Sequence, residues 1–183
     1  MVKKPIQLSH EFLKEVLTQD SLFVDATMGN GNDTLYFAPL VKEVIAFDIQ
    51  EEALLATRKK LDAIHVNNVQ LILDGHQHVD KYTDKIDGAI FNLGYLPSAN
   101  KDLVTKPDTT ILALEKIIER LVLGGRIAIM VYYGHEGGQE ERKALMAYLS
   151  KLNQKEITVM TYQAINQVNN PPYLVMIEKT IRS

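Results

Sequence analysis

The chain of 183 residues is long enough for one domain with a substantial core, so we expect a single domain over residues 1–183. Hydrophobic residues make up 46% and charged residues 23% of it, a balance that argues against intrinsic disorder. The absence of cysteine excludes disulfides, thiolate metal sites and cysteine nucleophiles. The formal net charge of −3 argues against a protein that holds nucleic acid over its whole surface.

No apolar run approaches the roughly 18 residues that a membrane span needs. The basic N-terminal segment, 1–5, is followed by no apolar stretch of the kind that a signal peptide contains. We therefore expect a cytoplasmic protein without a membrane partner.

Helix-like and strand-like segments alternate along the chain. Apolar residues at helical spacing predict helices over 8–17, with Ser9 as its cap, and over 51–64, 109–123 and 139–152. Gly124 and Gly125 are expected to close the helix over 109–123. Short apolar runs predict strands at 22–26, 44–47, 69–73, 86–91, 126–133, 156–162 and 173–179, with a polar loop over 93–108. This alternation predicts an α/β fold with a parallel sheet covered on both faces. Because only a loop joins the last two strands, they should form an antiparallel edge.

The segment after the first predicted strand carries the most information about function. A buried strand runs into a turn that contains Gly29 and Gly31, and then into a helix. Glycines let the backbone turn tightly and approach a ligand closely, and a helix start offers unpaired N–H groups. The next strand, 44–48, ends in Asp48, where an acid can accept hydrogen bonds from two ribose hydroxyls. Together these features predict a nucleoside site; the alternative is an ordinary turn with Asp48 as a helix cap.

The kind of nucleoside follows from two further positions. Thr34 stands where a dinucleotide fingerprint requires its third glycine. Asp25, four residues before Gly29, suits a ligand with a cationic amino group and would repel a pyrophosphate. The pattern Asp-x-x-x-Gly-x-Gly followed by Asp48 resembles the S-adenosylmethionine (SAM) site of Rossmann-like class I methyltransferases. That resemblance implies a mostly parallel seven-stranded sheet with an antiparallel C-terminal edge and helices on both faces.

The third strand ends in Leu73-Asp74-Gly75-His76. In such methyltransferases a polar residue at this place lies beside the adenine, which implies that role for Asp74, Gly75 and His76. An alternative is a metal pair formed by His76 and His78, but no convincing third ligand accompanies them, so we expect no metal.

The fourth strand ends in Phe91-Asn92-Leu93-Gly94-Tyr95-Leu96-Pro97. Asn92 and Tyr95 match the ends of the Asp/Asn-Pro-Pro-Tyr/Phe motif of amine- and amide-directed methyltransferases, while Leu93-Gly94 replaces the two prolines. The match implies that the Asn92 carboxamide accepts hydrogen bonds from the target nitrogen and that the Tyr95 ring stacks on the target base. The alternative is a polar strand end followed by a tight turn.

Two further segments suit the substrate side. The segment Tyr132-Tyr133-Gly134-His135-Glu136-Gly137-Gly138 offers stacking surfaces for a base, and His135 is a candidate proton acceptor. The segment Asn169-Asn170-Pro171-Pro172-Tyr173 resembles a catalytic Asn-Pro-Pro-Tyr. It lies between the last two predicted strands, however, so we expect a substrate-side turn or a dimer contact there.

Taken together, the runs 25–34, 47–50, 74–76, 92–97 and 132–138 resemble the small bacterial family labelled as rRNA methylases. Its better-defined members are tRNA wobble-uridine methyltransferases that act on the aminomethyl group of 5-aminomethyl-2-thiouridine. The resemblance implies SAM as cofactor, the anticodon region of tRNA as substrate and a homodimer. The cofactor-binding residues that it implies are Asp25, Thr27, Gly29, Asn30, Gly31, Asn32, Asp33, Asp48, Gln50, Asp74, Gly75 and His76, and the catalytic ones are Asn92, Tyr95 and His135.

A chain of negative net charge must bind RNA locally, and basic residues in the predicted loops and termini are candidates: Lys3, Lys4, Lys101, Lys106, Arg142 and Lys143. A solvated face is the alternative. The rival functions are a methyltransferase of rRNA, of a small molecule or of a protein, and an NAD-binding or non-catalytic Rossmann module.

Overall fold

The computed structural model describes residues 2–94, 107–134 and 137–180. In this part of the chain, seven strands form one sheet in the order β3-β2-β1-β4-β5-β7-β6. The strands are β1 (Leu22–Asp25), β2 (Glu43–Asp48), β3 (Val69–Leu73), β4 (Ile86–Leu93), β5 (Leu121–Val131), β6 (Ile157–Tyr162) and β7 (Tyr173–Lys179). The α-helices are α1 (Pro5–Lys14), α2 (Asn32–Phe37), α3 (Glu51–Ala63), α4 (Pro107–Arg120) and α5 (Gly138–Leu149).

Strands β1 to β5 run parallel to one another, and β7 runs antiparallel both to β5 and to β6. The α/β prediction with an antiparallel C-terminal edge is therefore confirmed. One detail goes beyond it: β7 lies inside the sheet next to β5, β6 lies outermost, and β7 is the reversed strand.

Two apolar layers hold helices on opposite faces of the sheet. One contains Leu114 of α4 and Leu145 of α5, and the other contains Leu13 of α1, Phe37 of α2 and Leu61 of α3. Strands that are covered on both faces must be apolar along their length, which is why 44–47 and 127–131 are unbroken hydrophobic runs.

The structure corrects two predicted element boundaries. Helix α1 begins at Pro5, so Ser9 lies inside the helix and donates its Oγ hydrogen bond to the Ile6 carbonyl at 2.8 Å; the prediction of Ser9 as the cap was wrong. Helix α4 ends at Arg120 rather than 123, and β5 begins at once. Gly124, with φ +74°, lies in an irregular stretch of β5 where the pairing register with β4 shifts, instead of closing a helix.

The sheet places the carboxyl ends of its parallel strands at one edge. Asp25, Asp48, Leu73 and Asn92 all lie at or next to these ends, on four adjacent strands. Ligands of open α/β sheets bind at this edge. Within the described residues, no helix is long and apolar enough to cross a membrane.

Candidate functional site

The turn between β1 and α2 depends on two glycines. Gly29 and Gly31 have φ of +49° and +74°, a region that L side chains rarely adopt. A Cβ on Gly31 would lie 2.6 Å from Cγ2 and Oγ1 of Thr57, whose hydroxyl donates to the Gly29 carbonyl at 3.3 Å. A Cβ on Gly29 would meet nothing within 4 Å. The turn is thus closed against α3 at Gly31 and open at Gly29, where a ligand can approach the backbone.

Asp48 connects the turn to the end of β2. Its Oδ2 accepts the backbone N–H of Gly29 at 2.9 Å, and its Oδ1 accepts that of Gln50 at 3.0 Å. A carboxylate has about four acceptor positions, so two remain for other donors. The geometry orients the carboxylate at the edge of the sheet and brings together three predicted cofactor residues: Gly29, Asp48 and Gln50.

Asp25 lies beneath the turn and is completely buried. Its Oδ2 accepts the Thr34 hydroxyl at 2.6 Å and its Oδ1 accepts the Thr27 backbone N–H at 3.3 Å. Burial, reinforced by the nearby Asp33 carboxylate, raises the pKa of Asp25 to about 7. Asp25 therefore supports the turn from within the core and has no exposed surface, and its role towards a cofactor stays a prediction.

The region after β3 has its own hydrogen-bond network. The Asp74 carboxylate accepts from the Gly75 backbone N–H at 2.8 Å, from His78 Nδ1 at 2.7 Å and from the Tyr82 hydroxyl at 3.1 Å. Desolvation opposes its ionisation, but the hydrogen bonds from His78, Gly75 and Tyr82 outweigh it and lower its pKa. These three partners occupy much of the acceptor capacity of the Asp74 carboxylate. Its role beside the adenine stays a prediction.

His76 is buried and donates from Nδ1 to the Ala26 carbonyl at 2.8 Å. Burial lowers its pKa, which favours the neutral ring, and Nε2 has no partner among the described residues. His76 and His78 each use Nδ1, but for different acceptors: the Ala26 carbonyl and the Asp74 carboxylate. The described residues contain no group of three side chains that could hold a metal ion.

Asn92 lies at the end of β4, where the side chains of Thr27 and Asp33 contact it. Its backbone N–H donates to Thr27 Oγ1 at 2.7 Å, and its Nδ2 donates to Asp33 Oδ2 at 2.7 Å. Asp33 Oδ1 lies 2.7 Å from His10 Nε2, and the His10 ring stacks on Tyr36. Sequence analysis missed His10: it precedes Asp33 by 23 positions, and no motif marks it.

The exposure of the other site residues differs. Asn30 and Asn32 are exposed, and Lys60 Nζ donates to the Asn30 carbonyl at 2.5 Å. Two apolar side chains at the strand ends, which the sequence reading did not single out, are also exposed: Ile49 at 55% and Leu73 at 52%. Both lie beside the polar end of β2, and the sequence pattern alone does not reveal that they are exposed.

The stacking surface predicted after β5 is only partly available. Tyr133 is 6% exposed and packs edge-on against Tyr173, with the Arg142 guanidinium over both rings. Tyr133 therefore belongs to the core, and the expectation that it stacks on a base is wrong. Arg142 likewise packs on these rings instead of projecting as a phosphate ligand. The turn at Asn170 does lie beside this strand end, since a Cβ on Gly134 would be 3.8 Å from its Cβ.

Four of the predicted functional residues lie outside the described residues: Tyr95, Lys101, Lys106 and His135. Of the remaining basic candidates, Lys3 forms an ion pair with Glu11, whereas Lys4 and Lys143 form none with a described residue.

The reversed β7 next to β5, the glycine turn after β1 and the acid at the end of β2 define the class: a Rossmann-like methyltransferase of class I, dependent on SAM. Residues 44–178 match the family described as "Putative rRNA methylase". The chain belongs to this family.

Individual relatives support this assignment. One solved structure is that of a Streptococcus mutans protein, described as "a putative methyltransferase … in complex with SAH", where SAH is S-adenosylhomocysteine. It is 57% identical, with a TM-score of 0.93 over 98% of this chain and 99% of that one. A Clostridium thermocellum structure described as a "putative rRNA-methylase" is 44% identical, with a TM-score of 0.95 over 98% of this chain and 99% of that one. In Arabidopsis thaliana, the chloroplastic tRNA (mnm(5)s(2)U34)-methyltransferase is 32% identical over 97% of this chain and 70% of its own.

Proposed function

We propose that this protein transfers a methyl group from SAM to the exocyclic amine of 5-aminomethyl-2-thiouridine at the tRNA wobble position, giving 5-methylaminomethyl-2-thiouridine. The observation that carries the proposal is the Asn92 amide, fixed by Asp33 at the end of β4 beside the glycine turn. The Arabidopsis relative, named for a tRNA nucleoside of this kind, supports the choice of substrate.

The nucleoside part of SAM fits the ends of β2 and β3. Asp48 has acceptor positions beyond those that Gly29 and Gln50 use, and we infer that they take the ribose hydroxyls. Ile49 follows Asp48 in the chain, and Leu73 is the register partner of Asp48 on β3. These exposed apolar side chains would suit the faces of an adenine ring.

The methionine part fits the glycine turn. The open space at Gly29 admits a ligand close to the backbone, and Asn30 and Asn32 offer exposed polar side chains on either side of Gly31. Three carboxyl groups surround the turn, Asp25, Asp33 and Asp48, and their field favours a ligand that carries a sulfonium and an ammonium charge.

The acceptor amine needs its neutral form, because a protonated amine has no free electron pair. Asn92 Oδ1 accepts no hydrogen bond from a described residue, so it is available to an N–H of the amine. When bound, SAM would supply the methyl group, which would pass from the sulfur, with the sulfur keeping the bonding electrons, to the neutral amine nitrogen. The surplus proton of the methylated nitrogen would pass to bulk water after the product leaves the site. Exclusion of water around the amine lowers its pKa, and correct placement then accounts for most of the acceleration.

Two residues outside the described part of the chain complete this proposal. Tyr95 would stack on the target base, and His135 is a candidate proton acceptor. No general base is assigned within the described residues, since methyl transfer to a neutral amine needs mainly positioning.

RNA binding, assembly and location belong to the same proposal. Exposed Lys4 and Lys143 would contact phosphates, so tRNA affinity should fall steeply as salt is added; a flat response would contradict this contact. We also propose that residues 1–183 act as one domain, that the enzyme is a cytoplasmic homodimer, and that the dimer enlarges the RNA surface. Light scattering with and without tRNA tests the assembly.

Methyl transfer from labelled SAM tests the function directly. The protein is incubated separately with tRNA from cells that lack this gene, with rRNA, and with total protein from the same cells. Label in tRNA alone supports the proposal. Label in rRNA or protein moves the substrate to that class, and no label with stabilisation by NAD instead of S-adenosylhomocysteine (SAH) overturns the methyltransferase assignment for this site.

A further inference from the structure

Three elements meet in one hydrogen-bonded series at the acceptor side of the site. His10 of α1 contacts Asp33 of α2 through Nε2 and Oδ1 at 2.7 Å, and Asp33 Oδ2 contacts Asn92 Nδ2 of β4 at 2.7 Å. The side chains of His10 and Asp33 are 20% and 12% exposed, so water competes little for these contacts. The motif-based interpretation gave Asp33 to the cofactor and gave His10 no role.

The series determines which way round the Asn92 amide lies. A carboxylate only accepts hydrogen bonds, so the atom of Asn92 that faces Asp33 must be its NH₂ group. The carbonyl oxygen Oδ1 then has to lie on the other branch of the amide. With the amide reversed, two acceptors would face each other at 2.7 Å, which is strongly unfavourable.

His10 is itself held in place, which makes it a firm support for Asp33. Its ring stacks on Tyr36 with centroids 4.1 Å apart and an interplanar angle of 25°, and it meets the edge of Phe37 at 5.4 Å. Phe37 is buried and stacks on Phe23 of β1 at 4.2 Å, so the histidine is connected to the core. A ring held on two sides has few rotamers left, and its hydrogen bond to Asp33 therefore costs little entropy.

We propose that Asp33 and His10 are positioning residues of the methyl transfer. Asp33 fixes the Asn92 amide with its carbonyl oxygen available to the acceptor amine, and His10 fixes Asp33. This inference rests on the proposed role of Asn92 towards an amine. It adds that the N-terminal helix α1, which lies outside every nucleoside-binding motif, takes part in the acceptor site.

Replacements at positions 10 and 33 separate the hydrogen bonds from the packing. His10→Phe keeps a ring for Tyr36 and removes the donor, whereas His10→Gln keeps a donor of similar reach. Asp33→Asn keeps the shape but can donate as well as accept, so it no longer imposes one orientation on Asn92. Lys14→Gln, an exposed change on the same helix, is the control.

Each variant is measured for kcat and KM on tRNA, for SAH affinity by calorimetry and for thermal unfolding. We expect His10→Phe and Asp33→Asn to lower kcat at saturating SAM roughly 10- to 100-fold, as misplacement of a group in the site does. His10→Phe leaves the Asp33 charge in place, so its SAH affinity should stay within about twofold of the wild type. His10→Gln should recover most of kcat. Unchanged kcat in both variants overturns the proposal, and so does a loss of kcat in His10→Phe that merely follows a loss of SAH affinity.

A second readout keeps this inference distinct from the proposed function. The side-chain NH₂ signals of Asn92 are identified in an ¹⁵N-labelled NMR spectrum by their loss in Asn92→Ala. If the wild type transfers no methyl group to tRNA, the proposed function fails, yet the orientation can still be measured. A shift of these signals in both His10→Phe and Asp33→Asn supports the positioning series, and an unchanged signal in Asp33→Asn overturns it.

Discussion

Thr27 Oγ1 accepts the backbone N–H of Asn92 at 2.7 Å, so the glycine turn after β1 and the end of β4 are joined by one side-chain hydrogen bond. The turn is the proposed cofactor side and Asn92 the proposed acceptor side. Together with the backbone pairing of β1 and β4, this hydrogen bond holds the two proposed halves of the site next to each other.

Thr27→Val, which keeps the shape but removes the acceptor, should leave that N–H unpaired. We expect it to lower the free energy of unfolding by about 1–3 kcal/mol, the cost of an unsatisfied buried donor. It should also lower kcat, since Asn92 would shift. Urea unfolding and steady-state methylation measure both effects. Thr27→Ser keeps the acceptor and should resemble the wild type; a fully stable and active Thr27→Val would contradict this account.

Gly31→Ala tests the closed side of the turn. Position 31 combines a φ of +74° with a Cβ contact of 2.6 Å to Thr57, whereas Gly124 has the same φ and no neighbour within 4 Å. Gly124→Ala should cost about 1–2 kcal/mol from backbone strain alone. Gly31→Ala should cost more and should weaken SAH binding, which calorimetry measures. Equal losses in the two variants would show that the Thr57 contact is unimportant.

Asp48→Asn removes the charge that we assign to the ribose while keeping the shape. Because hydrogen bonds to charged groups contribute about 1.5–3 kcal/mol, we expect the Kd for SAH to rise roughly 10- to 100-fold. Asp48 also accepts two backbone N–H groups in the unliganded protein, so Asp48→Asn should change the unfolding temperature even without ligand. Calorimetry measures the Kd directly and is therefore preferable to a thermal shift. Asp62→Asn, an exposed change at the end of α3, is the control. An unaltered Kd in Asp48→Asn would remove Asp48 from the cofactor site.

Glu141 should make the stability of the protein depend on pH. It is 6% exposed on α5 and its Oε1 has no partner among the described residues, so burial raises its pKa from 4.5 to about 7. The folded chain then binds a proton at Glu141 more tightly than the unfolded chain does. The free energy of unfolding therefore falls as the pH rises from 4.5 through 7, because Glu141 loses this proton.

Glu141→Gln should therefore unfold at a higher temperature than the wild type at pH 8 and show a smaller decline between pH 5 and pH 8. Both proteins should still lose some stability over this pH range, because burial also raises the pKa of Asp25 to about 7. The exposed neighbour Glu140 provides the control Glu140→Gln, for which we expect no change. Parallel curves for wild type and Glu141→Gln would contradict the assignment of an uncompensated buried carboxyl group.

The sheet and the cofactor side were predictable because their determinants are local in the chain. Unbroken apolar runs mark strands covered on both faces, and the glycines at 29 and 31 precede a helix within a few residues. The position of β7 between β5 and β6 was not predictable, since strand order depends on contacts between distant segments. Gly124 was misread because a glycine that follows a helical pattern is typical of a helix end, whereas here it lies in an irregular stretch of β5.

The acceptor side was only half predictable. Asn92 follows a strand and matches a motif, but His10 reaches Asp33 only because α1 packs beside α2, and its sequence neighbours contain no sign of that contact. Tyr133 was misread for the converse reason. Adjacent tyrosines after a strand suit a base. Successive side chains point to opposite sides of an extended chain, however, and the Tyr133 side chain points into the core, where Arg142 covers it.

Mass analysis of digested nucleosides shows whether this protein methylates 5-aminomethyl-2-thiouridine and whether Asn92 is needed. The protein, with SAM, is incubated with tRNA from cells that lack this gene, and the nucleosides are compared with a sample that contains Asn92→Ala. We expect only the wild type to convert 5-aminomethyl-2-thiouridine to a product one methyl group heavier, although both proteins bind SAH. An unmethylated 5-aminomethyl-2-thiouridine pool, or equal conversion by Asn92→Ala, would contradict this expectation.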